Sequence, residues 1–243
     1  MSPERETESL AGVRFVRLPN ANAVGEQAAL MVADQLANKP NSTLVFPTGK
    51  TPLPLYQALR HMPELDWHSS RLFQLDEYVK PKMAGPLPYE TFAEFMDREL
   101  WDYIAGHKFY IQHYFQQPAA YEQLVLQGGG PDLVILGIGG NGHVAFNEPG
   151  SAPDSPTRVI ELAEQTMISN FGGARKPGYP TQAMTLGLKA IFSAREILLL
   201  ATGDSKKAIV KEAFSPENPP SVDCPASWLK RHPHVTVITD FEV

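Results

Sequence analysis

Five short apolar runs punctuate the chain, at residues 43–46, 72–75, 133–138, 197–200 and 235–238. They are too short for helices and nearly continuous rather than alternating. That pattern belongs to strands covered on both faces, as in a parallel sheet. Helical spacing fills the intervals. Val24, Ala28, Met31, Val32 and Leu36 recur on one face of 24–36, and 89–104 repeats the pattern. The stretch 204–214 opens with Gly203-Asp204-Ser205, good capping chemistry, and a further helix is expected after Thr51. Strand–helix alternation over the whole length predicts an α/β fold. Its expected form is a doubly wound, mostly parallel sheet with helices on both faces, Rossmann-like, in a single domain spanning 1–243. The glycines at 128–130 and the proline-rich 215–220 read as surface loops, and 1–10 as a flexible polar N-terminus.

Composition narrows the function classes. A hydrophobic content of 43% with 20% charged residues allows a sizeable core. The net charge of −6 argues against nucleic acid as a partner, because phosphate backbones call for basic surfaces. No stretch reaches the roughly 18 apolar residues that cross a bilayer, and the polar start lacks an export signal, so no membrane partner and a cytoplasmic location are expected. The one cysteine, Cys224, has no cationic neighbour and reads as a buried, inert thiol. His232 and His234 read as a strand entry rather than a metal site.

In doubly wound sheets ligands bind beyond the carboxyl ends of the strands, so the residues after each apolar run carry the chemistry. The first run leads into Thr48-Gly49-Lys50-Thr51, which resembles a nucleotide-binding loop. Leu44 stands where that loop needs its first glycine, and Pro47 and Pro52 remove backbone donors. What survives is an anion site at a strand-to-helix junction. Asp76 follows the second run, as a helix cap or as a general base raised towards useful pKa by partial burial. The third run ends in Gly139-Gly140-Asn141-Gly142-His143, followed by Asn147-Glu148-Pro149. Residues 137–142 match a dinucleotide turn, but Pro149 and Pro153 deny it the long helix that should follow. His143 is a candidate acid or base near neutral pH, with Glu148 in reach to polarise it. Lys206, at a helix start after the fourth run, opposes the helix dipole unless an anion sits nearby. A nucleophile elbow of the G-x-S-x-G type is absent.

"LGIGGNGHVAFNEPGS", with "FPTGKTPLPLY", "LDEYV", "ATGDSKKA" and "CPASWLKRHPHVTVITD", resembles the glucosamine-6-phosphate deaminase family, from about residue 20 onward. Its superfamily also holds the 6-phosphogluconolactonases, which carry a Ser-Leu-Phe-Pro-like continuation in place of Asn147-Glu148-Pro149. The resemblance implies conversion of glucosamine 6-phosphate and water to fructose 6-phosphate and ammonia, without metal or organic cofactor. By the same resemblance His143 opens the sugar ring, oriented by Glu148 and Asn141, and Asp76 moves the C2 proton. Thr48, Gly49, Lys50, Thr51, Gly139, Gly142 and Lys206 surround the sugar and phosphate, and Tyr89 matches a lid tyrosine. Three departures stand out. Asn141 replaces an aspartate, Lys50 a small residue, and Gly172 in "MISNFGGARKPG" the family's phosphate arginine, leaving Arg175 or Lys50 to supply the charge. The chain ends without the helical segment of hexameric relatives, so a monomer or small homo-oligomer is expected. The competing expectations are a lactonase and a sugar-phosphate-sensing domain.

Overall fold

Each of the five apolar runs becomes a parallel strand, and successive side chains of each strand enter two different cores. The structure is a computed structural model that describes residues 6–10, 12–82, 85–172 and 177–243. In β3 (Thr43–Phe46), Leu44 and Phe46 face a core built with α1 (Ala21–Asn38) and α2 (Leu53–Arg60). Val45 faces the other, shared with α4 (Pro118–Leu126), α6 (Leu188–Phe192) and α7 (Lys207–Phe214). In β7 (Leu133–Gly137) and β10 (Glu196–Ala201) the same alternation sends Leu133, Ile135, Leu198 and Leu200 one way and Val134, Leu136, Ile197 and Leu199 the other. Burying each such side chain is worth about 1.5–3 kcal/mol, which favours apolar residues at every position of these strands.

The main sheet has eight strands in the order β1-β2-β11-β10-β7-β3-β4-β6. Here β1 is Glu6–Leu10, β2 Val13–Arg17, β4 Arg71–Gln74, β6 His107–Phe109 and β11 Val235–Thr239. All neighbours are parallel except β1, which pairs antiparallel with β2. From β3 the chain steps outward through β4 and β6, returns to β7, and then steps the opposite way through β10 and β11. Strand order therefore reverses between the adjacent strands β3 and β7. A crevice at their carboxyl ends is the position where such sheets bind ligands.

A second sheet, antiparallel and three-stranded, is built from β5 (Asp76–Tyr78), β9 (Gln182–Thr185) and β8 (Arg158–Glu161). With α3 (Phe92–Glu99) and α5 (Glu164–Phe171) it encloses a third cluster of Tyr78, Phe146, Leu162, Met167 and Ala183, with Tyr89, Phe92 and Phe171 packed on it. No apolar run announces these strands, since each carries polar residues. Two expectations change. Residues 6–10 are not a loose terminus but an edge strand, paired residue for residue from Glu6 with Arg17 to Leu10 with Val13. The helix expected over 89–104 is confined to α3 and a short 3-10 turn, Trp101–Tyr103, because Thr91 and Glu94 form a capping box that starts α3 after Tyr89. Among the described residues, no helix is long and apolar enough to cross a membrane.

Candidate active site

Two loops meet at the reversal point. After β3, the fully buried Tyr56 donates its hydroxyl to the Pro47 carbonyl, anchoring the loop base. The crown stays open: Thr48 and Thr51 are half-buried, Gly49 and Lys50 exposed, and nothing lies within 4 Å of where a Gly49 Cβ would stand. Gly49 adopts φ +99°, which L side chains rarely take. The backbone there is free to approach an anion.

After β7, the turn is closed by Gly139 N–H to the His143 carbonyl (2.9 Å) and Gly142 N–H to the Gly139 carbonyl (3.1 Å). The His143 ring lies directly on Gly139, where an added Cβ would come within 2.2–2.4 Å of it. Gly142, at φ +82°, leaves room for Cys224, whose Sγ would sit 2.5 Å from a Cβ there. The Ala226 N–H reaches the Gly142 carbonyl (2.8 Å) and completes this support from behind. Cys224 is buried, and burial pushes its thiol upward, so it acts as packing rather than as a thiolate.

Glu148 is the hub of the charged groups. Its Oε2 lies 3.3 Å from His143 Nδ1 and accepts from Asn141 Nδ2 at 2.8 Å. Its Oε1 accepts from the Thr166 hydroxyl on α5. Burial alone would lift this carboxyl; His143, Thr166 and Asn141 together outweigh it and hold it at about 2. Nδ1 of His143 is close enough for charge attraction but not aligned as a hydrogen bond, and it has no other partner among the described residues. Asn141 does not hydrogen-bond the histidine ring. Its Oδ1 accepts the His143 backbone N–H (3.2 Å) while its amide holds Glu148. Asn147 is fully buried, with its amide on the Val144 and Leu186 carbonyls and its oxygen accepting from Arg158, so it pins the turn.

Asp76 opens β5 directly beyond β4 and pairs with Thr185 of β9. Thr185 Oγ1 in turn accepts the Phe146 N–H, so one strand pair and one hydrogen bond tie Asp76 to the histidine loop. Burial first, and the adjacent Glu77 second, raise the Asp76 carboxyl to about 8; no hydrogen bond or cation among the described residues offsets the rise. Glu77 is itself fully buried and raised to about 7 by burial, against the N–H groups of Phe92, Ala93 and Tyr78 that it accepts. It thus caps the amino end of α3 beside the base. Lys206, the residue preceding α7, donates Nζ to the Ile138 carbonyl at 2.7 Å, and burial pulls its pKa down. A half-buried cation therefore faces the glycine turn.

A family model described as glucosamine-6-phosphate isomerases/6-phosphogluconolactonase matches residues 19–238. The chain belongs to the glucosamine-6-phosphate isomerase/6-phosphogluconolactonase family. It is 39% identical to glucosamine-6-phosphate deaminase 1 of Giardia intestinalis over 223 residues, covering 87% of this chain and 82% of that protein. Among solved structures it resembles a monomeric glucosamine-6-phosphate deaminase at TM-score 0.82 and 31% identity, covering 93% and 96% of the two chains. A 6-phosphogluconolactonase from Trypanosoma cruzi shares the fold at TM-score 0.71 and 19% identity, over 93% of each chain.

The remaining site expectations drawn from this isomerase/lactonase family fall unevenly. Tyr89 lies outside the histidine–glutamate cluster, with its ring 5.7 Å from Tyr78, 5.6 Å from Phe171 and 6.0 Å from Tyr179. Its hydroxyl is buried without a hydrogen-bond partner among the described residues, and burial lifts it to about 12. Arg175 lies outside the described residues. Gly172 ends α5 in the left-handed conformation (φ +69°) with its N–H on the Ile168 carbonyl, a cap at which an arginine would be strained. Glu77, Thr166, Thr185 and Asn170 carry no local signal in the sequence, because the contacts that bring them to the site span between 15 and 92 positions. Surface depressions also lie elsewhere. One sits at the amino ends of the strands, beside the buried Asp132 that Lys39, Arg195 and the Thr43 N–H hold in place.

Proposed function

We propose that the protein isomerises and deaminates glucosamine 6-phosphate, consuming water and releasing fructose 6-phosphate and ammonia. The observation that carries this reading is the buried carboxyl of Asp76, held near 8 at the strand ends where the His143–Glu148 pair also lies. A base with a pKa near working pH suits proton abstraction beside a carbonyl.

In the proposed course, the 48–51 loop and Lys206 take the phosphate, fixing the sugar for proton transfer. An ammonium has three donors, so Lys206 keeps the Ile138 carbonyl and still meets a phosphate oxygen. With Nδ1 turned towards Glu148, Nε2 of His143 is left for the sugar, where it moves a proton from O1 to O5 and opens the ring. The ionised Glu148 stabilises the imidazolium formed on the way. Asp76 in its ionised form removes the C2 proton, acidified by the C1 aldehyde, while O1 takes a proton from the C2 ammonium, giving a neutral enolamine. Return of that proton to C1 leaves an imine at C2. Water adds there, and the carbinolamine expels ammonia to give the 2-ketone. Ring opening and the transfer from C2 to C1 are assigned to His143 and Asp76, and the reading calls for no metal or organic cofactor. We take the working form to be a monomer or small homo-oligomer in the cytoplasm, in line with the monomeric deaminase it resembles.

The test is release of ammonia and fructose 6-phosphate from glucosamine 6-phosphate, with 6-phosphogluconolactone as a second substrate. Equal amounts of both products, lost in Asp76→Asn, support the reading. Lactone hydrolysis without ammonia would replace it with the lactonase activity.

A further inference from the structure

We propose that α5 is a strut holding the two acid–base groups in register, with Thr166 and Asn170 as its positioning residues. Thr166 donates its hydroxyl to Glu148 Oε1, on the carboxylate beside His143. One turn further on, Asn170 Nδ2 donates to the Tyr78 hydroxyl at 2.8 Å. Residues four apart lie on one face of a helix, so a single face of α5 carries both contacts. Tyr78 stands two residues beyond Asp76 on β5, and alternate residues of a strand share a face. One end of the strut therefore fixes the partner of His143, and the other fixes the strand face that carries Asp76.

The packing agrees. The Tyr78 ring lies 5.2 Å from Phe171 at the end of α5 and 5.4 Å from Phe146 in the histidine loop. No other helix among the described residues hydrogen-bonds both Glu148 and Tyr78. Thr and Asn are weak helix formers, and α5 has eight residues and no side-chain cap at Ala163. Such a helix is not stable by itself; its position follows from what its polar face grips.

The inference rests on the deaminase reading only for its kinetic readout. Thr166→Val keeps the shape and removes the hydroxyl; Thr166→Ser keeps the hydroxyl; Asn170→Ala removes the other grip. Neither residue is assigned to substrate, so each loss is expected to lower kcat by about tenfold through misplacement and to leave KM within about twofold. Freeing either end frees the strut. The double variant is thus expected to fall no further than about tenfold, and Thr166→Ser to restore kcat. Multiplication of the two losses, or wild-type kcat in Thr166→Val, would overturn the proposal. A substrate-free readout separates it from the activity: Asn170→Ala is expected to move the imidazole nitrogen resonances of His143. Should the wild type release no ammonia, the functional reading fails alone; unmoved His143 resonances sink the strut.

Discussion

Replacing Asp76 by asparagine should abolish turnover and at the same time make the protein more stable at alkaline pH. The carboxyl rises from 3.8 to about 8 in the folded chain, with burial the main cause and Glu77 the second. A folded pKa above the unfolded one means that the native state holds its proton longer. Between pH 3.8 and about 8 the unfolded chain gives up this proton first, so stability falls as pH rises through that window. At 1.36 kcal/mol for each tenfold change in proton affinity, the full penalty is at most about 5–6 kcal/mol. An asparagine amide must find its own partners in the same pocket, at about 1–3 kcal/mol. A net gain of about 2–4 kcal/mol at pH 8 follows, equivalent to about 4–16 °C in Tm for a chain of this size. Thermal unfolding of wild type and Asp76→Asn from pH 4 to pH 9, beside ammonia release at each pH, is the assay. The gap in Tm should be smallest near pH 4 and widen towards pH 8, while wild-type kcat/KM rises over the upper part of the same range. A gap that stays constant with pH, or an asparagine variant less stable at pH 8, would refute the burial argument.

Gly142→Ala meets both a positive φ and the Cys224 sulfur 2.5 Å away, so a loss of about 2–3 kcal/mol is expected in denaturant unfolding, partly regained in the Gly142→Ala/Cys224→Ala double variant. Glu148→Gln removes a carboxylate held near 2 against 4.5 when free; its contribution, about 1–2 kcal/mol after solvent screening, is present above pH 4.5 and lost as pH falls towards 2. Acid titration of both proteins should therefore show their stabilities converging below pH 4.5. Lys206→Ala, which removes the half-buried cation at the glycine turn, should raise KM for the phosphosugar by about tenfold or more. Lys50→Ala, on the exposed crown, should raise it by less, and more weakly as salt increases. A Lys50 effect equal to that of Lys206 and insensitive to salt would place the phosphate on the open loop instead.

How much of this could be read from the sequence depends on the range of each interaction. The five central strands β3, β4, β7, β10 and β11 were readable because burial on both faces acts on every residue of a short run, as the split of residues 133–136 between two cores makes plain, whereas β1, β2 and β6 carry no such run. The site loops were readable because glycine, asparagine and proline constrain their own backbone, and because topology sends strand ends to one edge. His143, Glu148, Asp76 and Lys206 could accordingly be named as candidates. The second sheet could not: β5 and β9 are polar segments that become strands only when each meets the other across more than a hundred residues. Nor could the role of Asn141, whose amide serves Glu148 and the His143 backbone rather than the ring.

The sequence by itself determined the five central parallel strands, the helices expected around 24–36, 204–214 and after Thr51, and the residues standing at the strand ends, since periodicity, chain stiffness and side-chain chemistry are local properties. The tertiary structure alone decided how those residues act. Burial lifts Asp76 and Glu77, a distant helix end receives Glu77, and α5 brings Thr166 to Glu148. Desolvation and hydrogen-bond geometry depend on which distant segments close over a group, and no local pattern of residues encodes that.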